Sequence, residues 1–204
     1  MLTENDIKSV KGQGFLRNRG TDCFSARVIT GNGVLTADEM TVLCEAARIY
    51  GNGNVSFTGR MTVEVPGIPF DKIPEFQAYI KKAGLSTGGT GPKVRPIVAC
   101  KGTTCTFGLY DTQKMATEIH KRFYEGYRQV ILPHKFKIAC GGCPNNCVKP
   151  DINDLGIVGQ RVPKLEGSLC RSCKVCTVSE KCPMKAISGG GKLPDIHTEV
   201  CNNC

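Results

Sequence analysis

Apolar and polar positions recur along the chain with periods that change from segment to segment, and those periods lay out its elements. Residues 1–22 hold a short helical stretch and a glycine-bearing lead-in, and Cys23 to Leu85 reads strand, helix, strand, helix. Cys23 to Thr30 is strand-like and ends at a Gly31-Asn32-Gly33 turn. Thr36-Ala37-Asp38-Glu39 has the form of a capping box, with hydroxyl and carboxylate placed to satisfy the free N–H groups of a helix start. Behind it, Met40, Leu43, Cys44 and Ala47 fall at the spacing of one buried helix face, which makes Cys44 a core thiol. Val55 to Val65 alternates as a strand: Val55, Phe57, Met61, Val63 and Val65 face one way, and Ser56, Thr58, Arg60, Thr62 and Glu64 the other. The next helix carries Ile73, Phe76 and Ile80 on one side and stops at Gly84.

Ser86 to Pro92 is a glycine-rich loop that composition alone reads as a linker. It leads into a strand, Val94 to Ala99, and then to Cys100. Asp111 caps a helix whose Met115, Ile119 and Phe123 share a face, and a strand from Lys135 to Ala139 delivers the chain to Cys140. The expected organisation is a lead-in (1–22), a strand–helix layer (23–85), a second domain (86–165) and a cysteine-dense segment (166–204). The class is α+β, with a sheet covered by helices on one face. The last segment is too small and too poor in large apolar groups to fold without a metal.

The totals narrow the function. At 204 residues, 40% hydrophobic and 22% charged, the composition is that of a globular protein. No apolar run approaches the ~20 residues that cross a bilayer, and the first residues form no signal peptide, so a cytoplasmic protein without membrane contact is expected. A formal charge of +9 suggests nucleic acid, but the chain has no Trp, five Tyr and no long basic run. A solvated surface or a pocket for a polyanion accounts for the charge as well. Of thirteen cysteines, only Cys23 and Cys44 precede Cys100, and most of the others come in tight pairs. In a reducing compartment these are metal ligands before they are disulfides.

The tail reads Cys170-x2-Cys173-x2-Cys176-x5-Cys182-Pro183, then Cys201-x2-Cys204. It resembles the repeated C-x2-C-x2-C-x3-C-P run of two-cluster ferredoxins, in which the fourth cysteine of each run serves the other cluster. Zinc ribbons also use C-x2-C pairs, but the third cysteine and the following proline favour iron–sulfur. On that pattern Cys182 joins Cys201, Cys204 and one more cysteine, so the sequence is expected to be a truncated form of a longer chain, with up to two further [4Fe–4S] clusters in the whole.

A second constellation joins Cys100-x4-Cys105 to Cys140-x2-Cys143-x3-Cys147. The blocks GLSTGGTGPKVRPIVACKGTTC (Gly84 to Cys105) and LPHKFKIACGGCPNNC (Leu132 to Cys147) resemble those of siroheme-dependent sulfite and nitrite reductases, and the likeness runs from about Phe24 to Gly159. The resemblance implies a ferredoxin-like half domain before a siroheme and [4Fe–4S] domain. It implies Cys100, Cys105, Cys143 and Cys147 as cluster ligands, with Cys147 also bridging to the siroheme iron. The first pair is one residue shorter than the family's C-x5-C, and Cys140 is an extra thiol, taken as non-ligating.

The same resemblance places Arg60, Arg95, Lys135 and Lys137 over the face where substrate binds, as oxyanion holders and proton donors. Arg60, Arg95, Lys137, Asn145 and Cys147 would contact the cofactor, and the glycine-rich loop would approach its carboxylates. Taken singly, each basic side chain reads first as part of a solvated strand face; the four matches together favour the pocket. The implied activity is six-electron reduction of sulfite to sulfide, with nitrite to ammonia second, fed by a ferredoxin or another low-potential redox subunit. Larger members of the family carry two copies of this unit, so the resemblance implies either a compact single-copy reductase or a subunit that pairs with a second chain, identical or not. A non-catalytic iron–sulfur carrier is the rival reading. His120, His134 and His197 read as surface residues.

Overall fold

A computed structural model describes residues 2–203, which divide into two compact units, one ending at Val158 and the other starting at Gly159. In the first, helix α1 (Glu4–Lys11) opens with a capping box in which the Thr3 hydroxyl accepts from Asp6 N–H and the Asp6 carboxylate accepts from Thr3 N–H. Four antiparallel strands follow: β1 (Phe15–Arg17), β2 (Cys23–Val28), β3 (Ser56–Phe57) and β4 (Val63–Pro69), in the order β1-β2-β4-β3. The alternating residues Phe24, Ala26 and Val28 of β2 and Val63 and Val65 of β4 point into one core. Helices α2 (Ala37–Tyr50) and α3 (Ile73–Lys81) close over it with Leu43, Ala46, Ala47, Ile73, Phe76 and Ile80. Phe76 meets Phe15 and Tyr50 edge-on, each pair of ring centres 6.2 Å apart. The Thr36–Glu39 capping box starts α2 as the sequence reads, and Gly84, at φ +75°, follows α3. Cys44, expected as a core thiol, is only half-buried.

The Val55 to Val65 alternation is a hairpin and not one strand. The chain turns at Thr58–Met61, where Met61 adopts φ +56° and Thr58 N–H donates to Thr62 O at 2.9 Å. Phe57 is therefore 74% exposed and Thr62 is buried, the reverse of the expected faces. Arg60 sits in the turn and not on the polar face of a strand.

The rest of the first unit is a parallel three-stranded sheet, β5-β6-β7, of β5 (Val98–Ala99), β6 (Ile138–Gly141) and β7 (Leu155–Val158). The expected strands at 94–99 and 135–139 begin as a single parallel bridge, Val94 with Phe136, before regular pairing takes over. Helix α4 (Thr112–Ile119), capped by Asp111 as expected, covers the sheet with Ala116 over Ile97, Ala99, Ile138 and Cys140. Met115 and Phe123 are each 36% exposed, so the expected apolar face of α4 is turned to its rim. From His120 to Glu125 the helix widens into a π-helical stretch, which rotates the following residues and buries Tyr124 in place of Phe123. His120 is no surface residue: its side chain is 13% exposed and its ring lies 4.6 Å from that of Tyr124.

The second unit contains helix α5 (Thr177–Lys181) and a two-stranded ribbon, β8 (Ile187–Ser188) with β9 (Asp195–Ile196). Its one fully buried apolar side chain among the described residues is Ala186. No helix among the described residues is long and apolar enough to cross a membrane.

Candidate functional site

The hairpin turn between β3 and β4 carries Arg60 to the loops that flank β5, β6 and β7. Its Nη1 donates to Asn153 Oδ1 at 2.6 Å, and its Nη2 donates to Pro96 O at 2.8 Å and Ile138 O at 3.2 Å. Nε is buried with no protein partner. Burial pulls the guanidinium down to about 10, the Arg95 cation adds to the shift, and Asp154 opposes it. A cavity of about 360 Å³ opens beside this group, lined by Arg60, Met61, Lys137, Cys147, Lys149 and Asn153 among others. Three of the expected site residues, remote in sequence, thus share one cavity. The backbone N–H of Lys137 is tied to Asp154 Oδ2 at 2.6 Å, which fixes where its side chain begins.

Arg95 does not line this cavity. Its guanidinium donates to Gly89 O, which also accepts from Arg27 Nη1, and its own Nε is buried without a protein partner. Burial, then the Arg27 charge, lowers its pKa. Arg27 is in turn neutralised by Glu64 at 2.5 Å. Lys135 and Asn145 are exposed and do not line the Arg60 cavity. The glycine-rich loop lines a separate cavity of about 740 Å³, whose cations are Lys81, Lys93 and Arg128.

The two cysteine loops of the first unit cross at glycines. A Cβ on Gly108 would collide with Gly102 O, and one on Gly142 would stand 3.0 Å from Gly102 Cα and 3.4 Å from Cys100 Sγ. Only glycine lets these backbones approach so closely. Gly142 N–H donates to Cys100 Sγ at 3.1 Å, and Leu109 N–H donates to Gly142 O at 2.9 Å. Cys100, Cys105, Cys143 and Cys147 therefore sit on loops in contact, all as free thiols. Among the described residues no three His, Cys, Asp or Glu side chains form a metal-holding cage. Free thiols, an N–H directed at sulfur and glycines at the crossing are nevertheless chemistry that suits an iron–sulfur cluster. The buried Nε atoms of Arg60 and Arg95 likewise suit an anionic cofactor.

Cys140 differs from its neighbours. It points into the core beneath α4, and burial, reinforced by nearby Cys100, pushes its thiol up to about 11, while the Tyr110 hydroxyl pulls the other way. A neutral buried thiol packs as a small apolar side chain. In the second unit Cys170, Cys173 and Cys176 line one cavity of about 520 Å³. Backbone N–H groups of Ser172, Ala186 and Asn203 point at the sulfurs of Cys170, Cys182 and Cys201 at 3.5, 3.3 and 3.4 Å. Cys204 lies outside the described residues.

Sequence reasoning passed over Asn153 and Lys149, which complete the Arg60 cavity. No period or spacing singles out Asn153 or Lys149, whose φ is +48°.

Residues 90–197 match a family described as the nitrite and sulphite reductase 4Fe-4S domain, and residues 17–83 match the nitrite/sulfite reductase ferredoxin-like half domain. A coenzyme F420-dependent sulfite reductase of Methanocaldococcus jannaschii is 35% identical over 156 residues, 76% of this chain and 24% of that protein. One subunit of the anaerobic sulfite reductase of Salmonella typhimurium is 30% identical over 178 residues, 78% of this chain and 49% of that one. The chain spans at most about half the length of either of these relatives. In fold, the crystal structure of dissimilatory sulfite reductase I aligns with 89% of this chain and 48% of its own, at a TM-score of 0.69 and 20% identity.

Proposed function

The chain belongs to the nitrite and sulphite reductase family, and on that premise we propose that it is the siroheme- and [4Fe–4S]-binding part of an enzyme that reduces sulfite to sulfide by six electrons. The observation that carries this reading is the cavity in which Arg60, Lys137 and Cys147 meet. It pairs positive charge, which an oxyanion and a carboxylate-rich cofactor both need, with a thiol suited to iron.

Cys100, Cys105, Cys143 and Cys147 would hold the cluster, with Cys147 facing the cavity. Siroheme bound there would supply an iron with an open coordination position and a route for electrons arriving through the cluster. The protein's part is electrostatic and protonic. Arg60 donates to three protein acceptors, so it lends charge and holds shape. Lys137, whose backbone alone is tied down, is the group to hold a substrate oxygen and give it a proton as it departs as water. Arg95 adds positive charge near Arg60, and Lys135 and Asn145, which stand outside the cavity, would act only at the rim of a bound cofactor. Cys170, Cys173, Cys176, Cys182, Cys201 and Cys204 would serve up to two further [4Fe–4S] clusters that receive electrons from a ferredoxin or another low-potential subunit.

Sulfite is placed first because the Methanocaldococcus and Salmonella relatives belong to sulfite reductases. Nitrite, reduced to ammonia, is the second reading, since the matching family is described by both anions. The test is the absorption spectrum of protein purified without oxygen, with iron and labile sulfide counted, before and after adding each anion. Siroheme bands that shift with sulfite more than with nitrite are expected. Iron–sulfur absorption that stays free of siroheme even after loading with it would leave an electron carrier. In the loaded protein, Lys137→Ala should lower sulfite turnover about 10²-fold, the loss that removal of one donor at developing charge brings.

A further inference from the structure

One polar side chain in the cavity wall has no part in that chemistry. The Asn153 carboxamide is engaged at both ends: Oδ1 accepts from Arg60 Nη1 at 2.6 Å, and Nδ2 donates to Lys149 O at 2.8 Å. Lys149 has φ +48° and ψ +56°, a left-handed conformation that a lysine holds only when its surroundings impose it. It belongs to the same turn as Cys147, with Lys149 N–H donating to Asn146 O at 3.0 Å, and it leads into buried Pro150. At the other end, Arg60 Nη2 bonds the carbonyls of Pro96 and Ile138, the residues that directly follow Arg95 and Lys137.

We propose that Asn153 is a positioning residue: its amide joins the guanidinium that pins the Arg95 and Lys137 strands to the turn that presents Cys147, and so sets how the Cys147 thiol stands to the cationic wall. An asparagine suits this because one planar head offers an acceptor to a cation and a donor to a carbonyl. Aspartate keeps the first bond and turns the second into a repulsion. Leucine of similar shape keeps neither. The consequence for the cofactor rests on the reductase reading; the tether itself does not.

The test uses the full chain without cofactor, comparing wild type with Asn153→Asp, Asn153→Leu and Arg60→Lys by hydrogen exchange and by the alkylation rate of Cys147, both resolved by peptide mass spectrometry. Loss of one such hydrogen bond should raise exchange across residues 143–150 about five- to tenfold and change the Cys147 rate, with α3 unaffected. Asn153→Asp should disturb residues 143–150 and leave residues 95–99 as in wild type, whereas Arg60→Lys should loosen both. In siroheme-loaded protein, Asn153→Asp should shift the siroheme bands, and Asn153→Gln should restore them in part. Unchanged exchange and Cys147 rate in both Asn153→Asp and Asn153→Leu would overturn the tether. If the exchange pattern holds but wild type takes up no siroheme, the tether stands and the reductase reading falls.

Discussion

Cys140 and Cys147 belong to neighbouring turns of chain yet meet reagents on opposite terms. Cys140 is fully buried with its thiol pushed up to about 11, and Cys147 is exposed. Only the thiolate reacts, so at pH 8 about one Cys140 in a thousand would be ionised even where reagent reached it. In metal-free protein at that pH, iodoacetamide should mark Cys147 and spare Cys140; equal labelling of the two would contradict their placement. The folded state holds the Cys140 proton more tightly than an unfolded chain with its thiol near about 8.5. Its contribution to stability is therefore complete below about pH 8.5 and fades as pH climbs toward 11. Cys140→Ala should flatten the alkaline decline of Tm. The sequence told Cys140 from its neighbours only through a family spacing that left it over, whereas the core position beneath α4 supplies the physical reason. Arg60 was legible as a basic residue and not as a hub, because its acceptors are two backbone carbonyls and a turn asparagine contributed by distant segments.

At the scale of elements, what was legible was what neighbours in sequence decide. Capping at Thr36 and Asp111 follows from side chains three residues from their partners, and the α3 face follows from its own period. The hairpin at Thr58–Met61 was missed because paired residues such as Phe57 and Val63 lie an even number of positions apart, so that period two persists through a reversal of direction. Phe123 was expected where Tyr124 is buried because an i→i+4 pattern cannot anticipate a π-helical widening. Two substitutions separate local from tertiary support. Thr36→Ala removes one cap and should cost about 1 kcal/mol. Phe76→Ala empties the contact of α3 with β1 and α2 and should cost about 3–5 kcal/mol. Urea titrations followed by circular dichroism would read both; comparable losses would mean that the aromatic cluster does not govern this layer.

For the whole molecule, the contrast between the units matters most. The first has two apolar cores, while the second has Ala186 as its one fully buried apolar side chain among the described residues, with its N–H on the Cys182 sulfur. Its composition predicts a need for metal, since so few large apolar groups cannot offset the entropy of ordering the chain. Chelating iron should therefore expose Arg171 and Lys174 to trypsin well before residues 63–81 are cut; simultaneous cleavage would show that the first unit depends on metal as much as the second. The Arg60 hub has a further consequence in time. The antiparallel layer has its complete core once Leu85 has left the ribosome, but Pro96, Ile138 and Asn153 are made later and in that order. Arg60 is thus a latch that closes last, waiting through the synthesis of everything it fastens, and long-range closures of this kind are slow. Pulse-labelled refolding should find the amides of β4 protected before those of β6, and the opposite order would mean that the parallel sheet templates the layer that precedes it.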